Sequence, residues 1–161
     1  MFAIGEILDL AIRLEKNGEA VYRKAIQVVS DDEVKAVLDW MAAEEARHGQ
    51  WFSELKTAYD QGRQDPFREE MSQQLIESLV GGQSFSLQEV DFSKTAGLAE
   101  LLSIFIEFEK DTILFYGMIV PFVEDSETRA QLESIIAEEN RHVDRLKQYM
   151  ERGAEAALEV R

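Results

Sequence analysis

The chain has 161 residues, 45% of them hydrophobic and 30% charged, with a formal net charge of -15. That is the size of one ordinary domain able to bury a substantial core, and its acidity argues against a nucleic-acid backbone or an anionic membrane as partner. There is no cysteine, which excludes disulfides, thiol catalysis and any iron centre held by thiolates.

The opening "MFAIGEILDLAIRLEK" mixes acids and bases among its apolar residues, so it reads as a mature helix rather than a leader. Apolar residues recur at helical spacing from about Ile4 to Val29, then from Val34 through Leu38, Met41, Phe52 and Leu55. Between these runs, Ser30 with Glu33 three residues on forms a capping-box pattern, and the tight break predicts an antiparallel pair. Residues 61–94 follow, punctuated by Pro66 and Gly81-Gly82, with a short amphipathic helix expected from Phe67 to Val80. Adjacent helices need no such length, so the segment is expected to be a crossover along a four-helix bundle. A second hairpin is predicted from about Thr95 to Val123 and from about Ser126 to the region of Gly153, with Pro121 and "EDSE" at its turn. The expectation is one all-α domain over 1–161: hairpin 1 at about 3–60, the crossover, and hairpin 2 at about 95–155. No run approaches bilayer-spanning length, and a soluble cytoplasmic protein is expected.

The hairpins repeat one another. An offset of 94 residues lays "EKNGEAVY" (15–22) on "EKDTILFY" (109–116) and "AEEARH" (43–48) on "AEENRH" (137–142), without a gap. The same register pairs Asp31 with Asp125, Glu33 with Glu127 and Leu38 with Leu132, so the likeness runs through the turn. A duplicated helical hairpin accounts for this with the fewest coincidences.

Either Glu-x-x-His alone reads best as a solvated helix face. The full set reads otherwise. Glu15 and Glu45 each lie 15 residues from Ser30, and Glu109 and Glu139 each lie 15 from Glu124. At a rise of about 1.5 Å per residue, each pair shares one level on neighbouring antiparallel helices. His48 and His142 stand three residues beyond Glu45 and Glu139, on the same faces. Packing the hairpins therefore brings four glutamates and two histidines together at mid-height. Four buried carboxylates cost several kcal/mol each unless protonated or neutralised, and two divalent cations balance them to zero. One Glu from each of two helices and a Glu-x-x-His from each of the others is the donor set of di-iron and di-manganese bundles. Tyr22 and Tyr116, two turns after Glu15 and Glu109, are placed to hydrogen-bond a ligand carboxylate on a neighbouring helix, or to serve as core tyrosines. Glu44 and Glu138 are candidates to accept from the outer nitrogen of the opposite hairpin's histidine, or to be plain exposed acids. Gly18 suggests close packing near the site, and Trp40 and Trp51 read as core or interface residues.

With these motifs in view, the chain resembles the rubrerythrin branch of the ferritin-like superfamily, in the form without a rubredoxin domain. "EKNGEAVY", "EEARH", "EKDTILFY" and "EENRH" carry the likeness, which covers both hairpins but not the connector. The resemblance implies Glu15, Glu45, His48, Glu109, Glu139 and His142 as ligands of two Fe ions per chain, with Mn an alternative that the same donors accept. It implies reaction of the reduced site with hydrogen peroxide or dioxygen, in oxidative-stress protection or iron handling, and a homodimer or higher homo-oligomer. Rubrerythrins usually carry a further glutamate one turn after the third-helix ligand, where this chain has Thr112. That departure brings the site closer to the symmetric one of bacterioferritin and keeps a ferroxidase or iron-storage role as the alternative. The absence of cysteine makes a separate electron-donor protein necessary for any reductase activity. A metal-free helical interaction module is the third reading.

Overall fold

A computed structural model describes residues 4–62 and 97–159. It shows α1 (Ile4–Ile26), α2 (Asp32–Asp60), α3 (Leu98–Ile119), a single 3-10 turn at Val120–Phe122, and α4 (Ser126–Glu159). α1 packs on α2 and α3 on α4, giving two antiparallel hairpins. Among the described residues there is no strand, and no helix is long and apolar enough to cross a membrane. The crossover beyond Gly62 and its expected helix at 67–80 lie outside the described residues.

Each helix exists because its apolar residues form one stripe. In α1, Leu8, Ala11, Leu14, Gly18, Tyr22 and Ala25 are buried at intervals of three or four, while Glu6 in the first turn and Arg23 and Lys24 in the last oppose the helix dipole favourably.

The first turn corrects one expectation. Asp31, not Ser30, caps α2: its Oδ1 accepts from the Glu33 and Val34 amides at 2.9 and 3.2 Å. The amides of Gln27, Val28 and Val29 fold back onto the Lys24 and Ala25 carbonyls, which delays the new helix by one residue. A carboxylate there also meets the positive helix end. Asp125 repeats the device 94 residues later, its Oδ2 accepting from the Thr128 amide at 2.8 Å and hydroxyl at 2.6 Å. α3 starts at Leu98, after Gly97 at φ 125, a backbone angle that side chains resist. α4 continues past Gly153 to Glu159, since a lone helical glycine costs only about 1 kcal/mol.

The core falls into two apolar halves. One, at the hairpin-2 turn, includes Ile7, Leu8, Phe52, Phe115, Ile119 and Leu132. The other, at the hairpin-1 turn, includes Ala25, Val34, Leu38, Leu102, Phe105 and Leu146. Each fully buried large side chain contributes about 1.5–3 kcal/mol. The bundle can therefore carry a polar layer between the halves only if that layer is neutralised, because each unpaired buried ion costs several kcal/mol.

Candidate metal centre

That layer consists of Glu15, Glu45, His48, Glu109, Glu139 and His142, none more than 1% exposed. One side chain comes from α1 and one from α3, two from α2 and two from α4, so all six predicted donors are brought together. They form two overlapping groups, Glu15–Glu45–His48–Glu139 and Glu45–Glu109–Glu139–His142, with donor atoms within 4.8 Å of one another. Glu45 and Glu139 belong to both. The imidazole centroids lie 6.4 Å apart with nearly parallel planes, so the pair of groups has an approximate twofold relation matching the sequence repeat.

Both histidines turn Nδ1 inward and Nε2 outward. His48 Nδ1 stands 2.9 Å from Glu139 and 3.6 Å from Glu15, while Nε2 meets Glu138 at 2.5 Å. His142 Nδ1 lies 2.9 Å from Glu139, 3.2 Å from Glu45 and 3.4 Å from Glu109, while Nε2 meets Glu44 at 2.6 Å. The outer carboxylate of each hairpin thus fixes the opposite hairpin's imidazole with Nδ1 turned toward the inner carboxylates, in position to ligate a cation once its proton is displaced. The tyrosines cross in the same way: the Tyr22 hydroxyl donates to Glu109 and the Tyr116 hydroxyl to Glu15. Both are fully buried, and burial together with the Glu109 and Glu15 charges raises their pKa, so they remain protonated donors.

Electrostatics register the crowding. Burial, with the Glu109 and Glu15 charges, pushes Glu139 up to about 8, and burial with Glu139 and Glu109 pushes Glu45 well above the carboxylate range. Burial would lower the histidines, but contacts with Glu139 and Glu15 hold His48 at about 10. Contacts with Glu109, Glu139 and Glu44 outweigh burial at His142 and hold it at about 12. In return His142 lowers Glu109 despite its burial. Without metal, then, protons supply the positive charge this layer demands. Even so, Glu15 Oε2, Glu45 Oε1, Glu109 Oε2, Glu139 Oε2 and His142 Nδ1 are buried without a well-aligned hydrogen bond, His142 Nδ1 and Glu139 Oε2 meeting only as an ion pair at 2.9 Å. Five such polar atoms spread over the two overlapping groups, four of them carboxylate oxygens, are a poor hydrogen-bonded core and a good donor set for hard to borderline divalent cations.

Local backbone choices make room for this. A Cβ on Gly18 would stand 3.3 Å from Phe108 Cε1 and 3.5 Å from Glu45 Cγ and Cδ, and one on Gly49 would stand 3.3 Å from Glu15 Cβ. Thr112 is buried, but its hydroxyl donates to the Phe108 carbonyl at 3.1 Å. Sequence reasoning missed Arg47, whose Nη2 lies 2.7 Å from Glu138 and 3.7 Å from Glu44 and so braces both outer carboxylates; Arg141 is 3.8 Å from Glu138. The arginine before each histidine recurs at the 94-residue offset and was the available signal. Trp40, expected in the core or at an interface, lies edge-on against His142 at 5.2 Å.

A buried carboxylate and imidazole layer at mid-height in a four-helix bundle is a donor arrangement compatible with metal binding. The chain belongs to the rubrerythrin family, whose family model matches residues 6–150. A solved structure from Thermotoga maritima, described as that of a candidate ferritin-like diiron-carboxylate protein, shares the fold, with a TM-score of 0.69 and 24% identity over 94% of this chain and 97% of that one. No curated protein sequence matches the chain. Family membership and the buried cluster together support a di-iron protein.

Proposed function

We propose that the chain is a rubrerythrin-like non-haem di-iron oxidoreductase that reduces hydrogen peroxide or dioxygen. The observation that carries this reading is the set of poorly hydrogen-bonded buried oxygens and nitrogen shared between two donor groups. One iron would be held by Glu15 and His48, the other by Glu109 and His142, with Glu45 and Glu139 between them. Two ferrous ions there would supply the electrons for reducing the oxidant. The chain's own residues orient and neutralise. Glu138 and Glu44 hold each imidazole in the tautomer that presents Nδ1 inward, and Tyr22 and Tyr116 keep protons at Glu109 Oε1 and Glu15 Oε1. Apolar layers above and below exclude water. Manganese remains compatible with the donors. The reading includes a separate electron-donor protein, a cytoplasmic setting and a homo-oligomeric assembly.

A ferroxidase or iron-handling role is the second reading, and Thr112 favours it. A hydroxyl committed to a backbone carbonyl adds no carboxylate on the Glu109 side, so the donor set stays symmetric. A metal-free interaction module is disfavoured by the same atoms. Anaerobic Fe²⁺ titration followed by stopped-flow mixing with each oxidant separates the three. Saturation at two irons with fast oxidation by either oxidant supports the oxidoreductase. Release of the oxidised iron into a mineral supports the ferroxidase. Absence of stoichiometric binding by the folded chain rejects both.

A further inference from the structure

One turn beyond the carboxylate layer, toward the hairpin-2 turn, residues of all four helices line a cavity of about 10 Å³. Its inner walls are Ile7, Leu8 and Ala11 of α1, Phe52 of α2, Ile119 of α3 and Leu132 of α4. That is room for one small molecule. We propose that this cavity is a holding site for dioxygen on its way to the Glu15 side of the centre, an inference that rests on the metal reading above.

Chemistry selects the occupant. A buried water needs two to four polar partners. Of the lining residues only Thr128 and Trp51 bear polar side-chain atoms, and the Thr128 hydroxyl proton is committed to Asp125. Hydrogen peroxide, with two donors and four lone pairs, is disfavoured here like water. An apolar diatomic gives up no hydrogen bond on entry.

Position supplies the route. Trp51, Leu55 and Thr128 also wall a surface groove of about 250 Å³ between α2 and the start of α4, whose rim includes Glu54, Asp125, Glu127 and Gln131. These three residues are the partition between groove and cavity. On the inner side, the Phe52 ring lies 5.1 Å from Tyr116, whose hydroxyl donates to Glu15. Ala11 is one helical turn before Glu15, and Phe52 one turn after His48. The cavity therefore lies one helical turn from the donor group containing Glu15 and His48.

The first test uses the full chain with methyl-labelled isoleucine and leucine, placed under xenon pressure and followed by NMR. Saturable shifts are expected at Ile7, Leu8, Ile119 and Leu132, and none at Leu38 or Leu102 in the other half of the core. Absence of saturable shifts at the cavity methyls overturns the proposal. The variants Ala11→Val and Leu132→Phe, which fill the space from different helices, are then loaded with Fe²⁺. Oxidation by dioxygen should slow about tenfold while oxidation by hydrogen peroxide stays unchanged. Equal slowing with both oxidants, or no slowing with dioxygen, counts against the route. A chain that takes up no Fe²⁺ defeats the metal reading and the route together, whereas Fe²⁺ uptake without xenon shifts defeats the route alone.

Discussion

Glu45 and Glu139 differ from Glu15 and Glu109 in one respect: each serves both donor groups. Glu139→Gln should therefore abolish uptake at both positions, whereas Glu15→Gln should lose one and keep the other. Anaerobic Fe²⁺ titration of the two variants reads this directly, as a fall from two equivalents to near zero or to one. Tyr116→Phe leaves Glu15 Oε1 buried without its donor, which should destabilise the metal-free chain by about 1–3 kcal/mol in urea unfolding. These side chains were legible in the sequence because helical arithmetic alone places Glu15 beside Glu45 and His48 one turn on, and a second copy repeats the arithmetic. Arg47 was not legible as a brace. Its reach to Glu138 depends on how α2 meets α4, and no spacing within one helix encodes that distance.

At the scale of the elements, the two hairpin turns show where local pattern falls short. Ser30 and Asp31 are both good N-cap residues, and nothing intrinsic to either decides between them. The decision belongs to the turn, where three amides fold back on α1 before α2 begins. The repeat carried the missing information, since it pairs Asp31 with Asp125 and leaves Ser30 facing Glu124. Asp31→Ala should cost about 0.5–2 kcal/mol and Ser30→Ala less than about 0.5 kcal/mol, compared by urea midpoints at equal slope. The end of α4 shows the opposite error. Gly153 reads as a stop in sequence, yet the helix runs through it to Glu159.

For the molecule as a whole, the buried layer makes stability depend on pH. His48 is held at about 10 against an ordinary 6.5, and Glu139 at about 8 against 4.5. Between those values the folded chain binds more protons than the unfolded one, so stability falls as pH rises. The Glu139 contribution declines from about pH 4.5 to 8 and that of His48 from about pH 6.5 to 10. The metal-free protein should thus melt several degrees lower at pH 9 than at pH 6 in calorimetry. Bound metal takes over the role of those protons, so the loaded protein should lose most of this slope, and loading should release protons and tighten with rising pH.

The tyrosines and outer glutamates all reach across: Tyr22 and Glu44 serve Glu109 and His142, while Tyr116 and Glu138 serve Glu15 and His48. No hairpin completes its own donors, yet each offers its neighbour the same help it receives. A hairpin of this kind, made as a free-standing peptide, would find everything it lacks in a second copy of itself. The present chain is then intelligible as a homodimer whose two subunits became one polypeptide, after which the halves could diverge. Gly18 and Thr112, which occupy equivalent positions 94 residues apart, mark one place where they have.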